Sequence, residues 1–145
     1  MTIKVLLVDD ETSFVEALGR RLTLRKLHVL TAGSADEALD ILGREELDVV
    51  VLDVKMPGTD GLTAIKTIKR RHPLVEVILL SGHANLEASV GGVALGAFDY
   101  LLKPVRIDEL VYKIEDAFRR KTLQEEKIRN LPEITTSAQN EQDET

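Results

Sequence analysis

The chain contains no cysteine and no tryptophan, and it has two tyrosines and three phenylalanines in 145 residues. Without cysteine there can be no disulfides, thiolate zinc sites or thiol redox chemistry, and a reducing compartment fits. Long apolar runs are also missing. Val49 to Leu52 and Val77 to Leu80 are typical, far short of the roughly 18 residues of a membrane-spanning helix. The opening Met1-Thr2-Ile3-Lys4 lacks the charged flank, apolar stretch and small-residue site of a signal peptide. No membrane association is expected, and the cytoplasm is the default location. A surplus of positive charge is absent as well. The formal net charge of -6 gives no electrostatic reason to expect contact with nucleic acid or an anionic bilayer.

What is present is a repeating α/β pattern in a chain long enough for one domain with its own core. Apolar runs recur at Val5 to Val8, Val49 to Leu52, Val77 to Leu80 and Ala97 to Leu102, with a shorter strand at His28 to Ala32. Runs that are apolar on both faces suit parallel strands covered on both sides. Between them lie segments with helical spacing. The first spans roughly Ser13 to Lys26 and aligns Phe14, Leu18 and Leu22. Ser34 with Glu37 three residues on is a capping-box signature for the second. A third follows Gly61 with Leu62, Ile65 and Ile68, and a fourth, Leu86 to Leu95, contains Gly91 and Gly92. Two glycines at about 1 kcal/mol each relative to alanine predict that the fourth helix is the least stable. The fifth begins near Asp108 and aligns Leu110, Ile114 and Phe118.

Such alternation predicts a doubly wound parallel sheet, with function at the carboxyl ends of its strands. Strand one ends at Asp9 and Asp10, strand three at Asp53, strand four at Ser81, and Lys103 follows strand five. Singly, the acidic pair reads as a solvated turn, Ser81 as a loop serine and Lys103 as a surface lysine. In register they form a constellation. Adjacent carboxylates repel unless a cation stabilises them, and an oxygen-only set suits a hard divalent ion such as Mg2+. An aspartate in such a set can accept a phosphoryl group, whose oxygens Ser81 and Lys103 could bind.

These residues stand in VDDE at 8 to 11, LDVKMPGTDG at 52 to 61, LLSGHA at 79 to 84 and YLLKP at 100 to 104. The set resembles the receiver domain of two-component response regulators, over residues 3 to about 120. The resemblance implies a flavodoxin-like fold with five helices and strand order 2-1-3-4-5. It implies a phosphoryl group passed from a sensor histidine kinase or phosphotransfer protein to Asp53, with Mg2+ or Mn2+ held by Asp9, Asp10, Asp53 and the carbonyl of Lys55. Ser81 and Tyr100 would be a switch pair, Lys103 would contact the phosphoryl group, and Lys103-Pro104 would be a cis peptide. Lys55 and His83 would modulate phosphoryl lifetime. An unidentified protein partner would read the surface of helix four, strand five and helix five, which could also join two copies.

Two further readings remain open. A phosphatase with an aspartyl nucleophile usually needs a second aspartate two residues on, and Lys55 stands there. A phosphate-independent interaction module would have no use for the full constellation. His28 and His72 have no ligand partner at useful spacing, and the basic run Lys66 to His72 reads as the outer face of helix three.

Residues 122 to 145 hold six acidic and two basic residues. A heptad through Leu110, Ile114, Ala117, Lys121, Gln124, Ile128 and Leu131 has two polar seam positions, which makes a poor coiled coil. The expected division is a receiver at 1–121 and an acidic polar tail or linker at 122–145, which could extend helix five, even as a dimer stalk, before order is lost past Leu131. Neither a helix-turn-helix nor an ATPase loop is visible, so direct nucleic-acid binding is not expected.

Overall fold

The computed structural model describes residues 2–54, 61–82 and 86–143, with the side chains of the last segment described from 88 to 131. Strands and helices alternate: β1 (Lys4–Val8), α1 (Thr12–Leu24), β2 (His28–Ala32), α2 (Ala35–Arg44), β3 (Val49–Asp53), α3 (Gly61–Arg71), β4 (Glu76–Ser81), α4 (Leu86–Ala94), β5 (Asp99–Leu102) and α5 (Ile107–Asp143). The strands form one parallel sheet in the order β2-β1-β3-β4-β5. This is the flavodoxin-like arrangement.

Every residue of β3 and of β4 is buried, as helices on both faces require. Because neighbouring side chains on a strand point to opposite faces, Val5 and Leu7 join one core and Leu6 and Val8 the other. α1 and α5 cover the first through Val15, Leu18, Leu22, Leu110, Ile114 and Ala117. α2 and α3 cover the second through Ala38, Leu42, Ala64, Ile65 and Ile68. Phe14 and Phe118, both expected in the buried stripes, are half-buried instead. Val15 and Ala117, each one position away, take the inward seats.

The α2 N-terminus carries the expected cap in a shifted form. The Glu37 N–H donates to Ser34 Oγ at 3.1 Å, while the Glu37 carboxylate accepts from the N–H of Gly33 rather than of Ser34, at 2.9 Å. At the other end of the sheet, Asp108 sits inside the first turn of α5 and pairs with Arg25, which ties α5 to the end of α1.

The two glycines of α4 are not equivalent. A Cβ at Gly92 would overlap Leu79 Cδ1 and lie 3.0 Å from Ile65 Cδ1, both fully buried side chains, whereas a Cβ at Gly91 meets nothing within 4 Å. Gly92 therefore sets how closely α4 approaches the sheet, and Gly91 merely weakens the helix. Gly92→Ala is expected to destabilise the protein by about 1–3 kcal/mol through overpacking. Gly91→Ala should stabilise it by about 0.5–1 kcal/mol. Urea denaturation of both variants checks the contrast, and equal effects would refute it.

α5 continues past Leu131 to Asp143 as an extension of helix five into the acidic segment. Sparse apolar residues argue against burial, not against helix, and the stretch is rich in Glu, Gln, Lys and Arg, which are good helix formers. Ion pairs fasten the middle of α5 to the amino ends of the strands. Lys121 Nζ lies 2.9 Å from Asp48 Oδ1 and 2.7 Å from Glu125 Oε1. Burial would lower the Lys121 pKa, but hydrogen bonds to Glu125 and Asp48 outweigh it and raise it above the ordinary 10.5. Buried Glu76 faces Arg120 Nε at 3.2 Å and Lys69 Nζ at 3.1 Å.

Candidate functional site

The carboxyl ends of β1, β3, β4 and β5 lie side by side. The Asp9 N–H donates to the Ala32 carbonyl at 3.1 Å, which fixes Asp9 at the mouth of the sheet between β1 and β2. Its Oδ1 accepts the Glu11 N–H at 3.0 Å. Asp53 pairs with Leu80 across β3 and β4, and the Val54 N–H continues that ladder to the Leu80 carbonyl at 3.0 Å. A Cβ on Gly61, at the start of α3, would fall 2.9 Å from the Val54 carbonyl oxygen. Glycine is thus needed there for α3 to begin directly against the strand that carries Asp53.

Asp9, Asp10 and Asp53 each present a carboxylate oxygen within 4.8 Å of the others. Asp9 and Asp53 are 4% and 6% exposed, while Asp10 faces solvent. Two of three negative charges are thus held largely out of water, where their repulsion is least screened. Lys103 opposes it, with Nζ 3.4 Å from Asp9 Oδ2 and 3.7 Å from Asp53 Oδ2. An all-oxygen donor set of this size with one open, solvent-facing side fits a hard divalent cation that keeps several waters.

Backbone bonds place the remaining groups. The Lys103 N–H donates to the Ser81 carbonyl at 2.8 Å, extending the β4–β5 pairing by one step, and the Lys103-Pro104 peptide is cis. Ser81 is 1% exposed, and its hydroxyl donates to the Gly82 carbonyl at 2.9 Å. Tyr100 is half-buried against the core under α2, α3 and α4. Its own N–H donates to Asp99 Oδ1 at 2.7 Å, and Lys113 of α5 holds Asp99 Oδ2 at 2.5 Å. Lys55 and His83 lie outside the described residues.

Two contributions escape sequence reasoning. Lys69, read as part of an outward basic face, turns back to donate to the Pro73 and Val75 carbonyls at 2.9 Å each, as well as to Glu76. Phe14 lies beneath Lys103, with the ammonium 4.6 Å from its ring centroid. No local spacing signals either, because each contact depends on how separate elements pack.

Sheet order, the acidic edge and the facing lysine define a flavodoxin-like protein with an acidic pocket at the carboxyl ends of its strands. Residues 5–115 match the family model for the response regulator receiver domain, and the chain belongs to that family. It is 42% identical over 126 residues to the DNA-binding transcriptional regulator NtrC of Klebsiella pneumoniae, covering 87% of this chain and 27% of that protein. It is 35% identical over 128 residues to a putative NtrX-like response regulator of Rickettsia felis, with the same coverages. Among solved structures, a response regulator receiver domain protein from Clostridium thermocellum superposes with a TM-score of 0.81 at 36% identity, over 84% of this chain and 98% of that one. NtrX from Brucella abortus gives 0.82 at 33% identity, over 87% of this chain and 29% of that one.

The chain spans about a quarter of the length of the curated relatives it matches. The expectation of no direct nucleic-acid binding is overturned by those relatives, since NtrC is a DNA-binding regulator. The physical reason is simple: the net charge and motifs of these residues carry no information about the other three quarters of such a protein. Receiver domains of two-component systems are phospho-acceptors rather than turnover enzymes, and the family uses Mg2+ at an acidic pocket, to which the aspartate cluster corresponds. Among the described residues no helix is long and apolar enough to cross a membrane.

Proposed function

We propose that this domain accepts a phosphoryl group from a histidine kinase onto Asp53, with Mg2+ held by Asp9, Asp10, Asp53 and the Lys55 carbonyl. The observation that carries the proposal is the clustering of three carboxylates within 4.8 Å with the Lys103 ammonium against two of them. When bound, Mg2+ supplies charge neutralisation and orientation of phosphoryl oxygens. A carboxylate oxygen of Asp53 attacks phosphorus, the phosphorus–nitrogen bond to the donor imidazole breaks as the new phosphorus–oxygen bond forms, and Lys103 pairs with the oxygens that gain charge. The domain catalyses both this transfer and the later hydrolysis upon itself. Within it, residues 1–121 act as the receiver body and 122–145 as an acidic tail or linker that begins as the continuation of α5.

The switch follows from the Ser81 hydroxyl. It now donates to the Gly82 carbonyl, and reaching a phosphoryl oxygen on Asp53 requires exchanging that bond for a charge-assisted one. Movement of Ser81 vacates space that Tyr100 fills, and the surface of α4, β5 and α5 changes as a pre-existing equilibrium shifts. By analogy with NtrC, the shift regulates a DNA-binding transcriptional regulator.

Incubation with acetyl phosphate followed by intact-mass measurement tests the chemistry. A single phosphoryl adduct that requires Mg2+ supports it, and no adduct despite demonstrated Mg2+ binding favours a phosphate-independent module. Ser81→Ala should still take the phosphoryl group, but the phosphorylation-induced shifts of the Tyr100 ring signals should shrink several-fold. Shifts equal to those of the wild type would remove Ser81 from the switch.

A further inference from the structure

The Lys103 ammonium has two carboxylates on one side and an aromatic ring on another. Its distances of 3.4 and 3.7 Å to Asp9 and Asp53 exceed the roughly 2.7–2.9 Å of strong charge-assisted hydrogen bonds. The carboxylates therefore attract the ammonium without fixing it, and a lysine stem has four rotatable carbons along which it can stray. Below the stem lies a cavity of about 570 Å3 lined by Phe14, Ala17, Leu18, Arg21, Pro104 and Val105. The Phe14 ring sits with its centroid 4.6 Å from Nζ, inside the roughly 6 Å reach of a cation–π contact. Phe14 is half-buried and packs against the rim of the core, where Val15 and Leu18 take the inner seats of α1, so the ring meets both the core and the Lys103 ammonium.

The geometry points to Phe14 as a positioning residue that holds the Lys103 ammonium against Asp9 and Asp53. The kinetic part of this inference rests on Asp53 being the phosphoacceptor, while the contact itself does not. The ring face, with its negative quadrupole, steadies the cation before the donor arrives and keeps it from swinging into the cavity. The same contact leaves Nζ free to turn toward a phosphoryl oxygen, because the ring attracts charge without dictating a hydrogen-bond direction.

The test uses the whole chain with Phe14→Leu, Phe14→Tyr and pentafluorophenylalanine at position 14, which keeps the ring's shape and reverses its electrostatics. In NMR spectra of the unphosphorylated wild type, the Lys103 Hε protons should be shifted upfield by the ring and lose that shift in Phe14→Leu. Phosphorylation by acetyl phosphate should slow about three- to tenfold in Phe14→Leu and in the fluorinated protein, the range a partly desolvated contact supports. Phe14→Tyr should restore the rate, and in a Lys103→Met background Phe14→Leu should cause no additional slowing. Unshifted Lys103 protons in the wild type, a wild-type rate in the fluorinated protein, or additive losses in the double variant would each overturn the assignment. Should the wild type take no phosphoryl group at all, the proposed function fails, and the Lys103 proton shift still decides whether Phe14 holds the ammonium.

Discussion

Asp53→Asn is expected to abolish phosphoryl uptake. The substitution is close to isosteric, so the β3–β4 ladder that carries residue 53 stays in place. What it removes is the nucleophile: a carboxamide oxygen attacks phosphorus far more weakly than a carboxylate, and loss of a covalent nucleophile costs at least about a thousandfold in rate. The neighbouring carboxylates are not substitutes. Asp9 is engaged by the Glu11 N–H and by Lys103, and Asp10 faces solvent. Intact mass after acetyl phosphate and Mg2+ should therefore show one adduct on the wild type and none on the variant. An adduct of wild-type extent on Asp53→Asn would move the acceptor to another residue.

Lys103→Met should produce the largest loss of stability among the site variants, and the loss should depend on Mg2+. Methionine preserves much of the apolar stem and deletes the charge that opposes two buried carboxylates. Breaking a fully buried ion pair costs about 3–5 kcal/mol. Here the lysine side chain is 27% exposed and its contacts are long, so a loss of about 1–3 kcal/mol is expected after solvent screening. A divalent cation restores positive charge to the same carboxylates and stabilises the folded state by mass action. The gap between variant and wild type in urea denaturation should accordingly narrow at saturating Mg2+. A gap that stays constant with Mg2+ would mean that the lysine and the cation do not act on the same charges.

Much of this site is legible in the sequence because the fold imposes a simple rule. Once β1, β3, β4 and β5 are recognised from their apolar runs, the residues that end them must share an edge, and Asp9, Asp53, Ser81 and Lys103 fall there without knowledge of any distance. What is not legible depends on packing between elements. Phe14 has the spacing of a core residue, and its place beneath Lys103 follows from the angle of α1 against the loop after β5, 89 positions later in the chain. Gly92 carries the same lesson. As a composition feature it only weakens a helix, yet the fit of α4 against Leu79 and Ile65 turns it into a spacing constraint. The extension of α5 is open in the sequence but not fixed by it, since a helix projecting from the body needs no apolar face to mark where it stops.

That helix has a mechanical consequence. Lys121 and Arg120 grip Asp48 and Glu76 at the base of the sheet, and residues 126 to 131 beyond them are all exposed. From the grip to Asp143 the helix extends about 33 Å at 1.5 Å per residue. It is a lever whose fulcrum is a pair of ion pairs and whose short arm begins beside Lys103. A rotation of about 10° at the fulcrum would carry the far end through about 6 Å over that length, so a rearrangement too small to alter the packing of the domain becomes a displacement as large as a helical turn.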